Sequence, residues 1–136
     1  MDQWNAVEIL LAEDNEGDAE LTLRALRKLK VRGKLLRVHN GLEALSFIFR
    51  EAEFAARDQT LPKLILLDIH MPILGGLEVL RRLRATPSTQ HIPVGILTGS
   101  SQENEFFESQ QLLVWEYILK PVSADALKDL IAQAGL

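Results

Sequence analysis

The sequence predicts an α/β fold, a doubly wound parallel sheet of five strands with helices on both faces, and three observations carry that prediction. Short apolar runs alternate five times with segments whose apolar residues recur at helical spacing. The run Leu64 to Leu67 is continuous and apolar, as a strand covered on both faces must be. No repeat, linker or low-complexity stretch interrupts the alternation. Such a pattern implies right-handed crossovers between parallel strands, and the order 2-1-3-4-5 is one five-stranded solution.

Val7-Glu-Ile-Leu-Leu-Ala12 reads as the first strand and ends in Glu13-Asp14. A helix follows, with Asp18 near its start and Ala19, Thr22, Leu23, Leu26 and Leu29 on one face. Lys34 to His39 is shorter and more polar, as suits an edge strand. Asn40-Gly41 turns the chain into a second helix, marked by Leu42, Leu45, Ile48, Phe49 and Ala52 and expected to reach about Ala56. Arg57 to Pro62 leads into the central strand, which Asp68 terminates; Pro72 and Gly75-Gly76 break regular structure beyond it.

Leu77, Leu80 and Leu83 mark a third helix, stopped near Thr86-Pro87. Ile92 to Thr98 is the fourth strand, and Ser101 with Asn104 or Glu105 is expected to cap a fourth helix reaching about Leu113. Val114 to Leu119 is the fifth strand and Lys120-Pro121 ends it. Ser123 caps a last helix that turns Leu127, Leu130 and Ile131 inward. About residues 1–6 form an N-terminal extension, and 1–136 suit one domain, long enough to bury roughly 65–70% of its unfolded surface.

Cysteine is absent, which excludes a disulfide framework, a thiolate metal site and a Cys nucleophile. No apolar run nears the ~20 residues of a membrane span and the start lacks a signal pattern, so a cytoplasmic protein without membrane contact is expected. The net charge of −4 is dispersed. The densest basic stretch, Arg24 to Lys34, has no interleaved aromatics and reads as a solvated face, so direct nucleic-acid binding is not expected.

In the order 2-1-3-4-5, strands one, three and four are neighbours, and their carboxyl ends bring Glu13, Asp14, Asp68 and Thr98 together, with Lys120 arriving from the fifth. Ligands bind at this edge of open α/β sheets. Each carboxylate pair about 4 Å apart costs about 4 kcal/mol at an effective dielectric near 20. One Lys cannot offset three acids, whereas a hard divalent cation can, and an all-oxygen site favours Mg²⁺ over Zn²⁺.

These residues resemble the receiver domain of two-component response regulators, the CheY-like fold. The resemblance rests on Glu13-Asp14, on Asp68 in Leu-Leu-Asp-Ile-His-Met-Pro, on Gly76, on Thr98 in Leu-Thr-Gly-Ser, and on Lys120-Pro121 preceded by Tyr117. The separations from Asp68 to Thr98 (98 − 68 = 30) and from Thr98 to Lys120 (120 − 98 = 22) are those the family typically shows. The resemblance implies that Asp68 takes a phosphoryl group from a histidine kinase phosphohistidine. Asp14, Asp68 and the backbone carbonyl of His70 would ligate Mg²⁺, with Glu13 acting through a water. Lys120 would pair with phosphoryl oxygens and Thr98 would donate its hydroxyl. Tyr117 would turn inward as Thr98 is drawn to the phosphoryl group, reshaping the surface of helix four, strand five and helix five. Such a protein catalyses only its own phosphorylation and dephosphorylation and is not otherwise an enzyme.

The Glu-Asp-Asn opening, long second helix and Arg57 to Leu61 insert resemble stand-alone regulators of phytochrome-type sensor kinases. No residues are left for an output domain, so action through a downstream partner, onward phosphoryl transfer or a phosphate sink is implied. His70 stands two positions after the nucleophile and is expected to influence dephosphorylation, while His39 and His91 lack spaced partners and read as strand-edge residues. Leu113, Val114 and Trp115 stand where relatives often have Gly and a small or polar residue, and Trp115, Phe106 and Phe107 add apolar area near the output face and predict a homodimer through it.

Two enzymes or cofactor proteins share parts of this pattern. A flavodoxin-type binder needs phosphate-accepting backbone donors after strand one, where this chain carries Glu13, Asp14, Glu16 and Asp18. A haloacid dehalogenase-type phosphatase wants a second Asp two residues after the first, where this chain has His70. A degenerate receiver that acts without phosphorylation is disfavoured by the complete set Asp14, Asp68, Thr98 and Lys120.

Overall fold

In the computed structural model, which describes residues 3–136, apolar runs and helical periods resolve into a five-stranded sheet. The elements are β1 (Ile9–Ala12), α1 (Glu16–Lys28), β2 (Leu35–Val38), α2 (Gly41–Ile48), β3 (Leu64–Asp68), α3 (Gly76–Ala85), β4 (Val94–Thr98), α4 (Ser101–Glu108), β5 (Glu116–Leu119) and α5 (Ala124–Gln133). All pairings are parallel and the order is β2-β1-β3-β4-β5, as expected. Because side chains alternate along a strand, each central strand feeds two cores. Ile65 and Leu67 pack with Phe47, Val79, Leu80 and Phe107 beneath α2, α3 and α4. Leu64 and Leu66 pack with Leu26, Leu127 and Leu130 beneath α1 and α5. No helix among the described residues is long and apolar enough to cross a membrane.

Polar caps start the helices where the chain leaves the carboxyl edge of the sheet. Asn15, Asn40, Ser100 and Ser123 each accept a backbone N–H from the first turn of α1, α2, α4 and α5. Ser100 therefore does what was expected of Ser101, and α4 ends at Glu108 rather than near Leu113, with Gln111 in the left-handed region soon after. Phe107 turns into the core, so the apolar side chains left exposed near this face are Phe106, Leu113, Trp115 and Leu119. β1 starts at Ile9, β4 at Val94 after Pro93, and β5 at Glu116, each slightly later than the apolar runs suggest.

The second helix stops at Ile48, well short of Ala56, for a tertiary reason. Arg50 and Ala52 take positive φ, and a short 3-10 turn follows at Ala52–Phe54. Arg57 then folds back: Nε donates to the Phe47 carbonyl at 2.7 Å and Nη2 to that of Ile48 at 3.1 Å. The guanidinium also lies 4.1 Å from the Phe47 ring centroid. Residues 1–2 of the expected N-terminal extension lie outside the described residues. Beyond them Trp4 packs edge-on against Phe54, and the Asp58 N–H donates to Asn5 Oδ1 at 2.7 Å.

Candidate functional site

The parallel sheet delivers acids from β1 and β3 to one edge, and a lysine from the end of β5 meets them. Glu13 and Asp68 are buried, Asp14 is exposed, and one oxygen from each lies within 4.8 Å of the others. Lys120 Nζ stands 2.8 Å from Glu13 Oε1, 2.9 Å from Asp68 Oδ1 and 3.0 Å from Asp18 Oδ2. Glu13, Asp14, Asp68, Thr98 and Lys120 meet at this edge, as the strand order predicts. Asp18, expected near the start of the first helix and among the acids that follow strand one, also belongs to the cluster.

The loop after Asp68 is folded tightly over the site. A Cβ at Gly76 would strike the Asp68 carbonyl, and the Gly76 N–H donates to the Ile69 carbonyl at 3.0 Å. This close return requires glycine at Gly76 and sets the direction of the loop that carries His70. The His70 ring points out to Glu103, with Nε2 3.2 Å from Oε1. On the other flank, Arg37 from edge strand β2 donates to the Glu13 carbonyl through Nε at 3.0 Å and Nη2 at 2.8 Å, and its Nη1 pairs with Glu16 at 2.9 Å. Arg37 was not legible as part of the site, because it reaches Glu13 from a strand distant in sequence; Glu103 had a local signal, the Ser100-Ser-Gln-Glu103 capping pattern.

Thr98 is buried at the end of β4, and its hydroxyl is turned onto its own loop. Oγ1 donates to the Ser100 carbonyl at 2.8 Å and accepts the Ser100 N–H at 3.1 Å. Tyr117 is half-buried and packs edge-on against Phe107, with centroids 6.3 Å apart. Burial, aided by the Glu108 carboxylate, holds its phenol above the usual range.

Charge at this edge is unbalanced. Burial pushes the Glu13 carboxyl up to about 7, opposed by Lys120 and reinforced by the Asp68 carboxylate. For Lys120, burial alone would lower the pKa, but the Glu13, Asp68 and Asp18 carboxylates outweigh it and hold the ammonium firmly charged. One ammonium thus serves three acids, with Asp14 as a fourth nearby. Glu13 Oε1 is buried and faces the ammonium at 2.8 Å. An all-oxygen donor set with surplus negative charge fits a hard divalent cation.

The chain matches the response regulator receiver domain over residues 9–132. It is 34% identical over 122 residues to response regulator Rcp1 of Synechocystis sp., covering 90% of this chain and 80% of that one. The Mn²⁺-bound form of response regulator Rcp1 superposes with a TM-score of 0.74 at 33% identity, covering 94% of this chain and 88% of that one. The bacteriophytochrome response regulator RtBRR superposes with a TM-score of 0.90 at 39% identity, covering 96% and 78%. The phosphorylated cyanobacterial phytochrome response regulator RcpA gives 0.75 at 34% identity, covering 93% and 89%. With the strand order and the acidic edge already in place, these matches establish that the chain belongs to the response regulator receiver domain family.

Proposed function

We propose that this protein is a single receiver unit spanning 1–136 in a cytoplasmic two-component phosphorelay, and that Asp68 accepts the phosphoryl group of a sensor kinase phosphohistidine. The observation that carries this is Lys120 Nζ held 2.9 Å from Asp68 Oδ1 within a surplus of carboxylates. Similarity to RtBRR and RcpA supports a phytochrome-type kinase as the donor. An Asp68 carboxylate oxygen attacks phosphorus, the P–N bond to the donor imidazole breaks with its electron pair leaving on nitrogen, and an acyl phosphate forms.

Asp14, Asp68 and the His70 carbonyl would hold Mg²⁺, with Glu13 acting through a water; when bound, the ion neutralises charge on the transferred oxygens. The remaining work falls to the chain. Lys120 shifts from Asp68 Oδ1 to a phosphoryl oxygen, and Thr98 trades the Ser100 carbonyl for another. The Gly99 N–H, which follows Thr98, is a further donor to the transferred group. Inward movement of Thr98 leaves room for Tyr117 to bury its ring, and the α4-β5-α5 surface changes with it.

Exposed Phe106, Leu113, Trp115 and Leu119 on that surface support a homodimer there, and the downstream target is a protein. The protein catalyses only its own phosphorylation and dephosphorylation. The decisive experiment is Mg²⁺-dependent labelling with acetyl phosphate, read by intact mass. One added phosphoryl group on the parent and none on Asp68→Asn is expected; equal labelling of both would overturn the assignment.

A further inference from the structure

Two helices of this fold share one capping device. At α2, Asn40 accepts the Glu43 N–H at 2.8 Å, and the Glu43 carboxylate reaches back past the cap to accept the His39 N–H at 2.8 Å. At α4, Ser100 accepts the Glu103 N–H at 3.3 Å, and Glu103 Oε2 reaches back to the Gly99 N–H at 3.1 Å. Each carboxylate also meets a histidine ring, His39 Nδ1 at 3.6 Å from Glu43 and His70 Nε2 at 3.2 Å from Glu103.

The geometry is alike, but the donors differ in what else they do. The His39 N–H serves no site. The Gly99 N–H follows Thr98 and is the backbone donor an incoming phosphoryl oxygen needs. His70, moreover, belongs to the loop after Asp68, so Glu103 ties α4 to that loop across a cavity of about 390 Å³ lined by Ile69, His70, Leu77, Ser100, Glu103 and Phe106. Beside it the Thr98 hydroxyl is engaged by Ser100. The Thr98 hydroxyl and the Gly99 N–H are therefore both occupied at rest, the second by an anion.

We propose that Glu103 is a positioning residue of the resting state, whose carboxylate holds the Gly99 N–H in place of a phosphoryl oxygen and must leave before Asp68 is phosphorylated. With Asp68 as the phosphoacceptor, on which this role depends, removing that carboxylate frees the donor, unties the loop and lowers the repulsion felt by an anionic phosphodonor.

The test compares the Mg²⁺-dependent acetyl phosphate labelling rates of the parent, Glu103→Ala, Glu103→Gln and Glu43→Ala, alongside thermal unfolding of each. Glu103→Ala should label roughly tenfold faster, about the worth of one charge-assisted hydrogen bond. Glu103→Gln, which keeps an acceptor oxygen but no charge, should fall between Glu103→Ala and the parent. Glu43→Ala loses the same kind of cap and the same formal charge, so it should lose similar stability yet label at the parental rate. If Glu103→Ala and Glu103→Gln label no faster than the parent, Glu103 is a helix cap and nothing more. An equal acceleration in Glu43→Ala would likewise overturn the proposal, by assigning the effect to net charge. A parent that takes no label at all sinks the phosphoacceptor assignment itself, which keeps the two failures apart.

Discussion

Arg57 and Lys120 are both drawn into this molecule, at opposite edges of the sheet, and their surroundings could hardly be less alike. Arg57 sits where α2 ends, its side chain 1% exposed, and donates to the carbonyls of Phe47, Ile48, Asp58 and Thr60. A planar fork of donors meets these backbone carbonyls, and the Asp58 carboxylate lies 3.8 Å from Nη1. Lys120 sits at the carboxyl edge, its side chain 17% exposed, among Glu13, Asp18 and Asp68. Its partners are three carboxylates at 2.8 to 3.0 Å, anions in excess of the one ammonium. The first node is built mainly on backbone carbonyls, and what it supplies is stability. The second is incomplete by charge, and incompleteness of that kind is what a cation-dependent reaction centre requires.

Mutations at the two nodes should therefore fail in different currencies. The largest effect is expected at Lys120→Met, where loss of the ammonium beside Asp68 should slow acetyl phosphate labelling by about 100-fold or more, with Mg²⁺ saturating. Arg57→Ala should leave labelling nearly unchanged while costing about 3 kcal/mol in urea unfolding, since it strands buried carbonyls and uncovers the Phe47 ring. Arg57→Lys should recover only part of that loss, because one ammonium cannot reproduce the fork. If Arg57→Ala abolished labelling, or Lys120→Met left it intact, the division between the nodes would be wrong.

The nodes should also differ in pH dependence. Between about 4.5 and about 7 folded Glu13 holds a proton that the unfolded chain has released. Its contribution to stability is therefore present in full below about 4.5 and is lost as pH rises through about 7. Without divalent cation, the parent should be less stable at pH 8 than at pH 5 by an amount approaching at most about 3 kcal/mol from this group. Glu13→Gln should flatten that decline, as followed by urea midpoints across the range. A decline of the same size in Glu13→Gln would locate the titration elsewhere.

The smallest expected effect belongs to Arg37→Ala. The Arg37 guanidinium holds the Glu13 carbonyl and Glu16 at the rim of the site, so its loss should loosen the acidic loop and weaken Mg²⁺ binding by calorimetry about tenfold, with little change in unfolding.

What could be read from the chain follows the same division. The finished parts that depend on local pattern were legible: the run Leu64 to Leu67 gave the central strand, and Asn40 and Ser123 stand at helix starts. The places of Asp68, Thr98 and Lys120 at strand ends foretold one edge because parallel strands of fixed order put all carboxyl ends together. The premature end of α2 was not legible, since Arg57 terminates it from nine and ten residues away through a fold-dependent return. Asp18 and Arg37 were missed for a related reason: each is an ordinary surface charge by type, and only the three-dimensional approach of its element gives it a partner in the site.

The central claim is that the Lys120 node is short of positive charge and takes a divalent cation to complete it. Thermal unfolding of the parent with and without Mg²⁺, at pH 8 and pH 6, tests it most directly. Mg²⁺ at about a hundred times its dissociation constant should raise the midpoint by several degrees at pH 8. The rise should be smaller at pH 6, where Glu13 retains its proton, and absent in Asp68→Ala. A parent whose midpoint does not move with Mg²⁺ at pH 8, or an Asp68→Ala variant that moves as much, would contradict it.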